Sequence, residues 1–523
     1  MPLHGNPLSE PADVRDLLSI GLEQRPDEVA IASRDDRMTW KELDEASSRL
    51  ATGYRGLGLG AGDRLASLMP NRTVLVVHYL ACFKAGLVAT PLNYRYTAPE
   101  IDHALEVSDA AALVMHVERA ADVAESRRGS ELPIGLVTTG DPNCTDGVAT
   151  LEALTSTGSP AVEPLTLDPA EAAAIFFTSG STGPAKGVTH SAETLGWMIA
   201  SAARAFELTS DDTFLPASSM SHIGSFLWAL ASLSVGANVV VARTYDAGEV
   251  LPLLREYRPT VLAMIPAALT ALLRDHDVSA DDFASLRLCR CGADKVSAEL
   301  EKEYSELVGF LIDEGYGMSE VGLATLNPPS GEIRPGSIGM PVPGFEIALR
   351  GDDGDEVSPG EVGRVWIKTR SHTTGYWRNP DATAEILRDG WLDSGDLARS
   401  DADGYLWFYG RKKQIIVHDG SNISPFEVEG ALVEHPAVEL VGVVGIHDET
   451  HGENVRAYVM LEESADRPSA QELIEFARAT VGYKAPEEIV FLTEMPLNPT
   501  GKIDRVGLKR MAEEHLHPHT ADV

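Results

Sequence analysis

The sequence predicts an α/β protein with two domains: a large N-terminal domain of layered, mostly parallel sheets with helices, and a small α+β C-terminal domain. Its 523 residues exceed the size at which one hydrophobic core keeps growing. Helical and strand periodicities alternate through the first half, a pattern typical of parallel sheets covered by helices. Past Gly360 short strands with Gly and Asp turns follow, and a new βα series starts at Phe426. A domain boundary is therefore expected near Gly410–Lys413.

The first predicted elements alternate between helix and strand. Residues Thr39–Tyr54 (TWKELDEASSRLATGY) form an amphipathic helix pattern, with Thr39 as the candidate N-cap and Glu42 three positions later. After a glycine-rich turn, the series continues with the strand Arg64–Met69, the helix Thr73–Gly86 and the strand Leu87–Pro91.

A continuous apolar run, Ala172–Phe177 (AAAIFF), predicts a buried strand that leads into a Gly- and Ser-rich loop. Further strands of the large domain are predicted at Val239–Ala242, Val261–Ile265 and Phe310–Asp313. In the small domain the predicted elements are the strands Val441–Ile446, Arg456–Leu461 and Ile489–Phe491 and the helix Ala470–Val481.

The composition excludes several classes of partner. With 43 Lys plus Arg against 79 Asp plus Glu, the formal net charge of -36 disfavours binding to nucleic acid or to an anionic membrane surface. Four cysteines are too few for a disulfide framework, the N-terminus has no signal-peptide pattern, and the apolar stretch Phe226–Ala242 is too interrupted to span a bilayer. A cytoplasmic protein is expected, either a monomer or a homodimer.

The strongest motif directly follows the AAAIFF strand. It runs from Thr178 to Gly187 (TSGSTGPAKG), where backbone N–H groups and hydroxyls can surround a phosphate. Lys186 adds a cation to this loop. The spacing is not that of a Walker A motif, because glycine follows the lysine where that motif has Ser or Thr.

Two further motifs suit a nucleotide. Gly315–Glu320 (GYGMSE) is predicted to follow a strand and offers a flat aromatic side chain, which can stack on a base. Its hydroxyl and carboxylate could hold Mg2+ beside phosphate oxygens. Asp396, which ends the motif DGWLDSGD, could bind both hydroxyls of a ribose.

The remaining two motifs belong to the small domain and its boundary. Gly410–Gln414 (GRKKQ) stands at the predicted boundary and precedes Gly420–Glu429 (GSNISPFEVE). Asn498–Arg505 (NPTGKIDR) lies near the C-terminus, where Gly501 lets a loop carry Lys502 outward.

Other patterns are interpreted as structural. Gly56–Ala61 matches a loose dinucleotide fingerprint but follows a helix and precedes a strand, the wrong order. His447–His451 (HDETH) has Asp where the zinc-protease motif has Glu. The pair Cys289 and Cys291 lacks zinc-site spacing. An ordinary polar tail is the favoured interpretation of His515, His517 and His519.

The five motifs, in this order and at these spacings, resemble the adenylate-forming superfamily of acyl-CoA synthetases, luciferases and nonribosomal adenylation domains. The resemblance runs from Thr39 to Arg505 and is nearest to stand-alone acyl-CoA ligases. It implies an adenylation domain over residues 1–410 and a hinge over residues 411–413, with Lys413 at the hinge position. A small mobile domain over residues 414–523 would carry the catalytic lysine.

The resemblance also implies a role for individual residues. Catalytic positions are matched by Lys502, His222, Glu320 and Lys186, with Glu320 as the magnesium carboxylate. ATP and AMP contacts are matched by Thr178, Ser179, Gly180, Ser181, Thr182, Gly183, Lys186, Gly292, Ala293, Asp294, Tyr316, Gly317, Ser319, Asp396, Arg411 and Lys502. The acyl pocket is matched by His222, Gly224, Ala263, Gly315, Gly317 and Met318. The coenzyme A (CoA) path is matched by Asp419, Gly420 and Ser421, and Asp419 departs from the glycine common there.

The implied activity is that of an AMP-forming acyl-CoA ligase with ATP, Mg2+ and CoA. A carboxylic acid attacks the α-phosphorus of ATP to give an acyl-adenylate and pyrophosphate, and a thiolate then displaces AMP. Lys502 and Mg2+ would stabilise the charge on the α-phosphoryl oxygens.

The acid is expected to be aryl, fatty or bulky alicyclic. The predicted pocket segments are mostly apolar and show no obvious arginine for a second carboxylate, which disfavours short dicarboxylic acids. The sequence uses Arg more than Lys and is rich in Ala, as proteins from high-GC actinobacterial genomes tend to be. This origin favours a role in natural-product biosynthesis, with an unusual bulky acid as the substrate. Free CoA is expected as the thiol, because no carrier-protein segment follows the small domain.

Three alternatives stay open. One is a chain specialised to a single half-reaction, either forming the adenylate or transferring a supplied adenylate to CoA. Another is the loading of a separate carrier protein. The third, a non-catalytic binder of acyl-adenylates, is disfavoured because the predicted catalytic residues, Lys502 among them, are all present.

Overall fold

The computed structural model describes residues 2–140, 149–161, 168–178, 184–274, 276–292, 295–419, 421–448, 451–462, 467–498 and 502–516. Within these ranges the strands are β1 (Leu3–His4), β2 (Val29–Ala32), β3 (Arg37–Thr39), β4 (Arg64–Leu68), β5 (Val88–Pro91), β6 (Ala112–His116), β7 (Gly135–Thr139), β8 (Ala149–Thr150), β9 (Ala172–Thr178), β10 (Lys186–Ser191), β11 (Thr213–Pro216), β12 (Asn238–Val240), β13 (Val261–Met264), β14 (Leu288–Cys291), β15 (Asp313–Met318), β16 (Gly322–Leu326), β17 (Met340–Pro341), β18 (Phe345–Arg350), β19 (Val362–Thr369), β20 (Gly375–Tyr376), β21 (Leu387–Arg388), β22 (Trp391–Ser400), β23 (Leu406–Arg411), β24 (Ile416–His418), β25 (Ser421–Ile423), β26 (Val438–Asp448), β27 (Gly452–Leu461) and β28 (Glu488–Phe491).

The helices within the same ranges are α1 (Ser19–Gln24), α2 (Trp40–Gly56), α3 (Thr73–Ala85), α4 (Ala98–Ser108), α5 (Ala120–Glu125), α6 (Leu151–Thr157), α7 (Ala192–Ala205), α8 (Ile223–Ser234), α9 (Ala247–Tyr257), α10 (Pro266–Arg274), α11 (Ala280–Phe283), α12 (Ala298–Val308), α13 (Pro380–Ile386), α14 (Pro425–Val433), α15 (Ala470–Val481) and α16 (Arg505–Leu516). None of the helices in the described ranges combines the length and the apolar character that crossing a membrane requires.

Two large sheets form the first part of the large domain. One has the strand order β20-β10-β9-β5-β4-β6-β7-β8, the other β17-β16-β15-β14-β13-β11-β12-β2-β3. Their inner strands pair in parallel, for example β4 with β5 and β6, and β13 with β11 and β14. The prediction of layered, mostly parallel sheets is confirmed. Apolar side chains of α2, α3, α7 and α8 form a common core with residues of both sheets.

A third sheet completes the large domain and leads to the small one. Its order is β1-β18-β19-β22-β21, with β23 paired to β22, and its pairs are antiparallel. Strand β23 ends at Arg411, and β24 of the small domain begins at Ile416. The predicted hinge at 411–413 begins at the last residue of β23 and ends before β24.

The small domain has its own sheet, β25-β24-β27-β26 with β28 paired to β27. Two apolar clusters pack this sheet against α14, α15 and α16, and among the described residues both clusters contain only positions from Ile416 onward. The small domain is therefore an α+β unit with a separate hydrophobic core.

Most predicted elements agree with the structure, and one is displaced. Thr39 caps α2 through a full capping box with Glu42, and the helix Ala470–Val481 is found as predicted. The predicted strand Phe310–Asp313 is wrong in position, because β15 begins only at Asp313 and runs to Met318. The glycines of GYGM, expected to follow the strand, lie within it because β16 pairs with them in antiparallel fashion.

Candidate active site

Several predicted site residues lie at strand ends or within strands of the two large sheets. Thr178 ends β9, and Gly292 directly follows β14, whose neighbour β15 carries Tyr316. Residues at the carboxyl ends of parallel strands converge at the same edge, which is the usual ligand-binding crevice of α/β sheets. Parallel pairing of β14 and β15 therefore places Gly292 beside the segment that carries Tyr316. Asp396 and Arg411 join Tyr316 from the antiparallel third sheet.

Tyr316 and Asp396 are joined across 80 residues of sequence. The Tyr316 hydroxyl donates to Asp396 Oδ2 at 2.6 Å, while Arg411 Nε lies 3.4 Å from Asp396 Oδ1. Asp396 and Arg411 are direct partners in the antiparallel pair of β22 and β23. Burial raises the pKa of Asp396, and the charge of Arg411 opposes that shift. The carboxylate is thereby held in a fixed place beside the aromatic ring.

A second aromatic residue, Phe408 of β23, stacks on Tyr316. The ring centroids are 6.2 Å apart and the planes are inclined by 29°. Phe408 in turn meets Phe426 of α14 edge-on at 5.4 Å, so the small domain packs against this aromatic pair. Arg505, at the start of α16, lies 4.4 Å from the Phe426 ring centroid. This chain of rings connects the predicted base-binding residue to the small domain.

Glu320 and Lys186 are linked through Tyr376 of β20. The Tyr376 hydroxyl donates to Glu320 Oε1 at 2.8 Å, and the Lys186 ammonium lies 4.8 Å from the centroid of the Tyr376 ring. Strand β20 pairs with β10, which begins at Lys186, and this pairing places the tyrosine there. One aromatic residue therefore orients both the predicted magnesium carboxylate and the predicted phosphate lysine.

Glu320 fits the requirements of a Mg2+ ligand. Its side chain is buried, and burial raises the pKa of its carboxyl. Mg2+ in nucleotide sites is held by one or two carboxylates together with substrate phosphates. A buried carboxylate fixed through one oxygen has its other oxygen available for such a cation.

His222 lies at the N-terminus of α8 and is neutral near pH 7. Burial, with a smaller effect from the charge of Lys502, lowers its pKa to about 4. Its Nε2 accepts a hydrogen bond from Asn93 Nδ2 at 3.4 Å, which leaves the proton on Nδ1. Burial raises the pKa of Asp396, and the charge of the same lysine opposes part of that rise. Lys502 of the small domain therefore lies within electrostatic reach of both the predicted acyl and the predicted ribose residues.

The glycines predicted for the acyl pocket differ in their surroundings. A Cβ at Gly315 would lie 2.8 Å from the Thr325 carbonyl oxygen, and one at Gly317 would lie 2.2 Å from the Gly322 carbonyl oxygen. Both glycines are required because β16 passes so closely. A Cβ at Gly224 would meet Trp228 Nε1 at an ordinary 3.6 Å. Ala263 is buried in β13, and Met318 is half-buried at the end of β15.

Arg290 was not foreseen as a residue of the site. It lies in β14 beside Ala263, its direct partner in β13, and its guanidinium is 5.0 Å from the Trp228 ring centroid. A Cβ at Gly292 would come within 2.6 Å of that guanidinium. Its Nε is buried without a hydrogen-bond partner, and burial lowers its pKa. Arg290 lies outside the segments predicted to line the acyl pocket, and alternation along β14 turns its side chain toward Trp228 of α8.

The predicted CoA path lies at a turn of the small domain. Asp419 has a left-handed backbone with φ of 48°, and Ser421 begins β25. Lys413 is exposed in a single helical turn between β23 and β24. Ser319 follows β15, and its carbonyl accepts a hydrogen bond from the buried His190 at 2.8 Å.

Some predicted residues lie outside the described ranges, namely Ser179, Gly180, Ser181, Thr182, Gly183, Ala293, Asp294 and Gly420. Of the residues that sequence reasoning missed, Arg290 had a detectable signal, because a charged residue in the middle of an apolar strand (LCRC) is unusual. Tyr376 and Phe408 had none, since their positions depend on long-range strand pairing.

Two family models match the chain. The AMP-binding enzyme model covers residues 20–377, and the AMP-binding enzyme C-terminal domain model covers residues 427–502. Feruloyl-CoA synthase of an Amycolatopsis species is 33% identical over 489 residues, which is 93% of this chain and 96% of that protein. The fatty acid–[acyl-carrier-protein] ligase ScoC of Streptomyces coeruleorubidus is 31% identical over 94% of this chain and 95% of its own length.

A solved structure in two states gives a further comparison. ATP-bound MatB from Rhodopseudomonas palustris superposes with a TM-score of 0.88, and the apo form with 0.77. Both are 27% identical and cover 97% of this chain and 99% of theirs. Over the whole chain, the superposition is closer with the ATP-bound form. On the extent of these matches, the chain belongs to the AMP-binding enzyme family.

Proposed function

We propose that the chain is an AMP-forming acyl-CoA ligase, which activates a carboxylic acid with ATP and transfers the acyl group to CoA. The observation that carries the proposal is the position of Lys502, whose charge acts on both His222 and Asp396. A cation whose charge reaches both the predicted acyl residue and the predicted ribose residue is suited to stabilise an α-phosphate that joins the two substrates. The proposal is also supported by two hydrogen bonds, from Tyr316 to Asp396 and from Tyr376 to Glu320.

In the first step a carboxylate oxygen attacks the α-phosphorus of ATP, and the bond to the bridging oxygen of pyrophosphate breaks. Negative charge increases on the α-phosphoryl oxygens, where Lys502 stabilises it. Mg2+, held by Glu320, would supply further charge neutralisation at the phosphates. Neutral His222 has a donor at Nδ1 and adds no charge that would bind the substrate carboxylate too strongly in its ground state.

In the second step the thiolate of CoA attacks the acyl carbon, and AMP leaves with the electron pair of the broken mixed-anhydride bond. Water would hydrolyse the acyl-adenylate that the first step forms. A small domain that encloses the site therefore protects this intermediate until the thiolate attacks it. The contact of Phe426 with Phe408 is part of that enclosure.

The acid is proposed to carry an oxygen at the end opposite its reacting carboxyl. Asp313, the partner of Arg290 in β15, is the acid beside the guanidinium, but Arg290 Nε has no hydrogen-bond acceptor. A carboxylate, a carbonyl or a phenolic oxygen of the substrate would supply one. Aryl acids with such a group fit the apolar surroundings better than simple fatty acids do. Among the aryl, fatty and alicyclic acids expected from the sequence, this proposal selects the aryl acids that carry such an oxygen.

A carrier-protein thiol is a second candidate for the acyl acceptor. The specific observation in its favour is the 31% identity to ScoC, whose name gives an acyl carrier protein as its acceptor. CoA and a phosphopantetheinylated carrier protein present the same thiol, so only the two acceptors tested side by side distinguish them.

We further propose that the enzyme works in the cytoplasm. There the buried thiols of Cys82, Cys289 and Cys291 stay reduced.

The decisive experiment measures pyrophosphate release with ATP and Mg2+ for pairs of aryl acids that differ only in a far-end oxygen, with and without CoA. Chemically made acyl-adenylates plus CoA are assayed in parallel. The expected result is pyrophosphate release with one of the acids, together with thioester formation both from that acid with CoA and from its supplied adenylate. Thioester from supplied adenylates without release from any acid would contradict the two-step proposal and indicate a transfer specialist.

The role of Arg290 is tested in the same assay with Arg290→Met. The expected loss is about 10- to 100-fold in kcat/KM for the oxygen-bearing acid, with about threefold or less for its parent, because a charged hydrogen bond is lost. Arg370→Met is the matched control, since Arg370 lies 4.8 Å from the Trp197 ring centroid outside the site. An equal loss for both acids, or a rise in the KM for ATP alone, would contradict the acyl role.

A further inference from the structure

Two turns of the small domain bring histidines and carboxylates together. His418 ends β24 and is paired with Gly452, and the Asp419 N–H donates to the His451 carbonyl oxygen at 2.9 Å. Asp419 adopts a left-handed backbone, which costs energy for a residue with a side chain. The pairing of the two turns therefore holds His418, Asp419 and His451 at one end of the small sheet.

Each side chain of this cluster has one atom fixed by a hydrogen bond. His418 Nδ1 donates to the Glu453 carbonyl oxygen at 2.7 Å, so its Nε2 carries a lone pair when the ring is neutral. Asp419 Oδ1 accepts from His451 Nδ1 at 2.8 Å. Glu487 Oε2 accepts from the Val455 N–H at 2.5 Å. Metal-binding imidazoles and carboxylates are held in this way by outer hydrogen bonds.

The second nitrogen of His418 faces two carboxylates. His418 Nε2 lies 3.7 Å from Asp419 Oδ2 and 3.5 Å from Glu487 Oε1. These separations are too long for good hydrogen bonds. The shorter separation falls within, and the longer lies slightly above, the spacing of about 3.3–3.6 Å between ligands placed about 2.0–2.2 Å from a tetrahedral zinc ion.

The geometry of the cluster suits a cation. His418 Nε2 and the two carboxylate oxygens face one another, and a metal ion between them would be attracted to both carboxylates. The His451 ring is stacked on His418 with centroids 5.2 Å apart. One ligand atom from each of His418, Asp419 and His451 lies within 4.8 Å of the other two.

We propose that the small domain binds a divalent transition-metal ion, Zn2+ in the first instance, through His418 Nε2, Asp419 and His451, with Glu487 as a further ligand. Imidazole with carboxylate is a ligand set that zinc accepts, whereas Mg2+ prefers oxygen ligands alone. The site is therefore separate from the magnesium carboxylate Glu320. It joins three chain segments at the turn of the predicted thiol path. His451 is the last residue of the HDETH segment, but its partner is His418 rather than His447.

The test must exclude the C-terminal histidines, which could chelate a metal themselves. The starting protein is the full chain in which His515, His517 and His519 are replaced by glutamine. It is titrated with Zn2+ in a calorimeter and with Co2+, whose visible absorption reports a tetrahedral site with nitrogen ligands. One ion per chain and a visible Co2+ band are the expected results, and the absence of binding would overturn the proposal.

Three substitutions in this background identify the ligands. His418→Gln and His451→Gln are expected to weaken Zn2+ binding at least about 100-fold, since even outer partners contribute about 10- to 100-fold. Asp419→Asn removes the carboxylate charge but keeps the left-handed turn, which Asn tolerates. It is expected to weaken binding as well, which a purely structural role of the turn would not produce.

His447→Gln is the matched control, because His447 is an exposed histidine of the neighbouring strand outside the cluster. It should leave both affinity and the Co2+ spectrum unchanged. Thermal melting without metal establishes that each variant is folded. Unchanged affinity in all three cluster variants, or an equal loss in His447→Gln, would overturn the assignment.

Discussion

The two domains contribute to the candidate site in different ways. In the large domain Tyr316 is bonded to Asp396 and Tyr376 to Glu320, so these side chains are fixed before any substrate arrives. In the small domain Lys502 is exposed, and it reaches the same site by its charge. The nucleotide contacts thus depend on the fold of one domain, whereas the catalytic cation depends on the arrangement of two. A cation held in this way can be withdrawn between two half-reactions without disturbing the nucleotide contacts.

The largest expected effect comes from Lys502→Ala. Pyrophosphate release should fall about 10^2- to 10^3-fold, because a donor to the transition-state charge is lost. Thioester formation from a supplied acyl-adenylate should stay unchanged, since no phosphoryl transfer occurs in it. Stopped assays of both half-reactions measure the difference.

Lys509→Ala is the control for this prediction, because Lys509 belongs to the same domain and lies 3.7 Å from Glu453. An equal loss in both half-reactions for Lys502→Ala would show that the lysine is needed for more than adenylation, and the contrast between the domains would fail.

The next effect concerns the large domain. Asp396→Asn should lower kcat/KM for ATP about 10- to 100-fold, because the hydroxyls of the ribose lose a charged acceptor. ATP-dependent pyrophosphate exchange measures it. Asp389→Asn, at a left-handed position of the same motif, serves as the control. If the two variants bind ATP equally well, Asp396 does not hold the nucleotide.

A smaller effect is expected from Tyr376→Phe. Loss of the hydroxyl that fixes Glu320 should raise the Mg2+ concentration for half-maximal activity about fivefold, the size of one ordinary hydrogen bond. Tyr94→Phe removes a comparable hydroxyl, 2.8 Å from Glu118, away from the site. A change in maximal rate without a change in Mg2+ dependence would contradict the positioning role.

The smallest expected effect is on the pH dependence of the melting temperature. Burial lowers the pKa of His190 to about 4, below its ordinary 6.5. The unfolded chain therefore takes up the proton first, and stability present above pH 6.5 is lost as the pH falls toward 4. Calorimetric melting temperatures between these values should decline less steeply in His190→Gln. An identical decline would show that this histidine does not carry the effect.

His451 gives the opposite sign at higher pH. Its hydrogen bond to the Asp419 carboxylate raises its pKa, so its contribution is complete below pH 6.5 and is lost as the pH rises further. Calorimetric melting temperatures measured from pH 6.5 upward should therefore fall less steeply with rising pH in His451→Gln than in the unsubstituted chain.

The sequence was sufficient for the parallel sheets and for most motif residues, because periodicity and glycine-rich loops are local signals. The link between Tyr316 and Asp396 could be expected only from the family resemblance, since the two stand 80 residues apart. Tyr376 could not be found at all. It reaches Glu320 and Lys186 through the pairing of β20 with β10, a contact that no local pattern specifies.

The close passage of β16 along β15 has a consequence for how this chain can diversify. At Gly315 and Gly317 any added side chain would strike backbone oxygen atoms, so these two positions are closed to mutation. Gly224 faces only the edge of an indole at an ordinary distance, and Arg290 can be shortened or made apolar without moving the main chain. In natural drift and in directed evolution alike, the preference of the enzyme for its acid should therefore change through substitutions in α8 and β14.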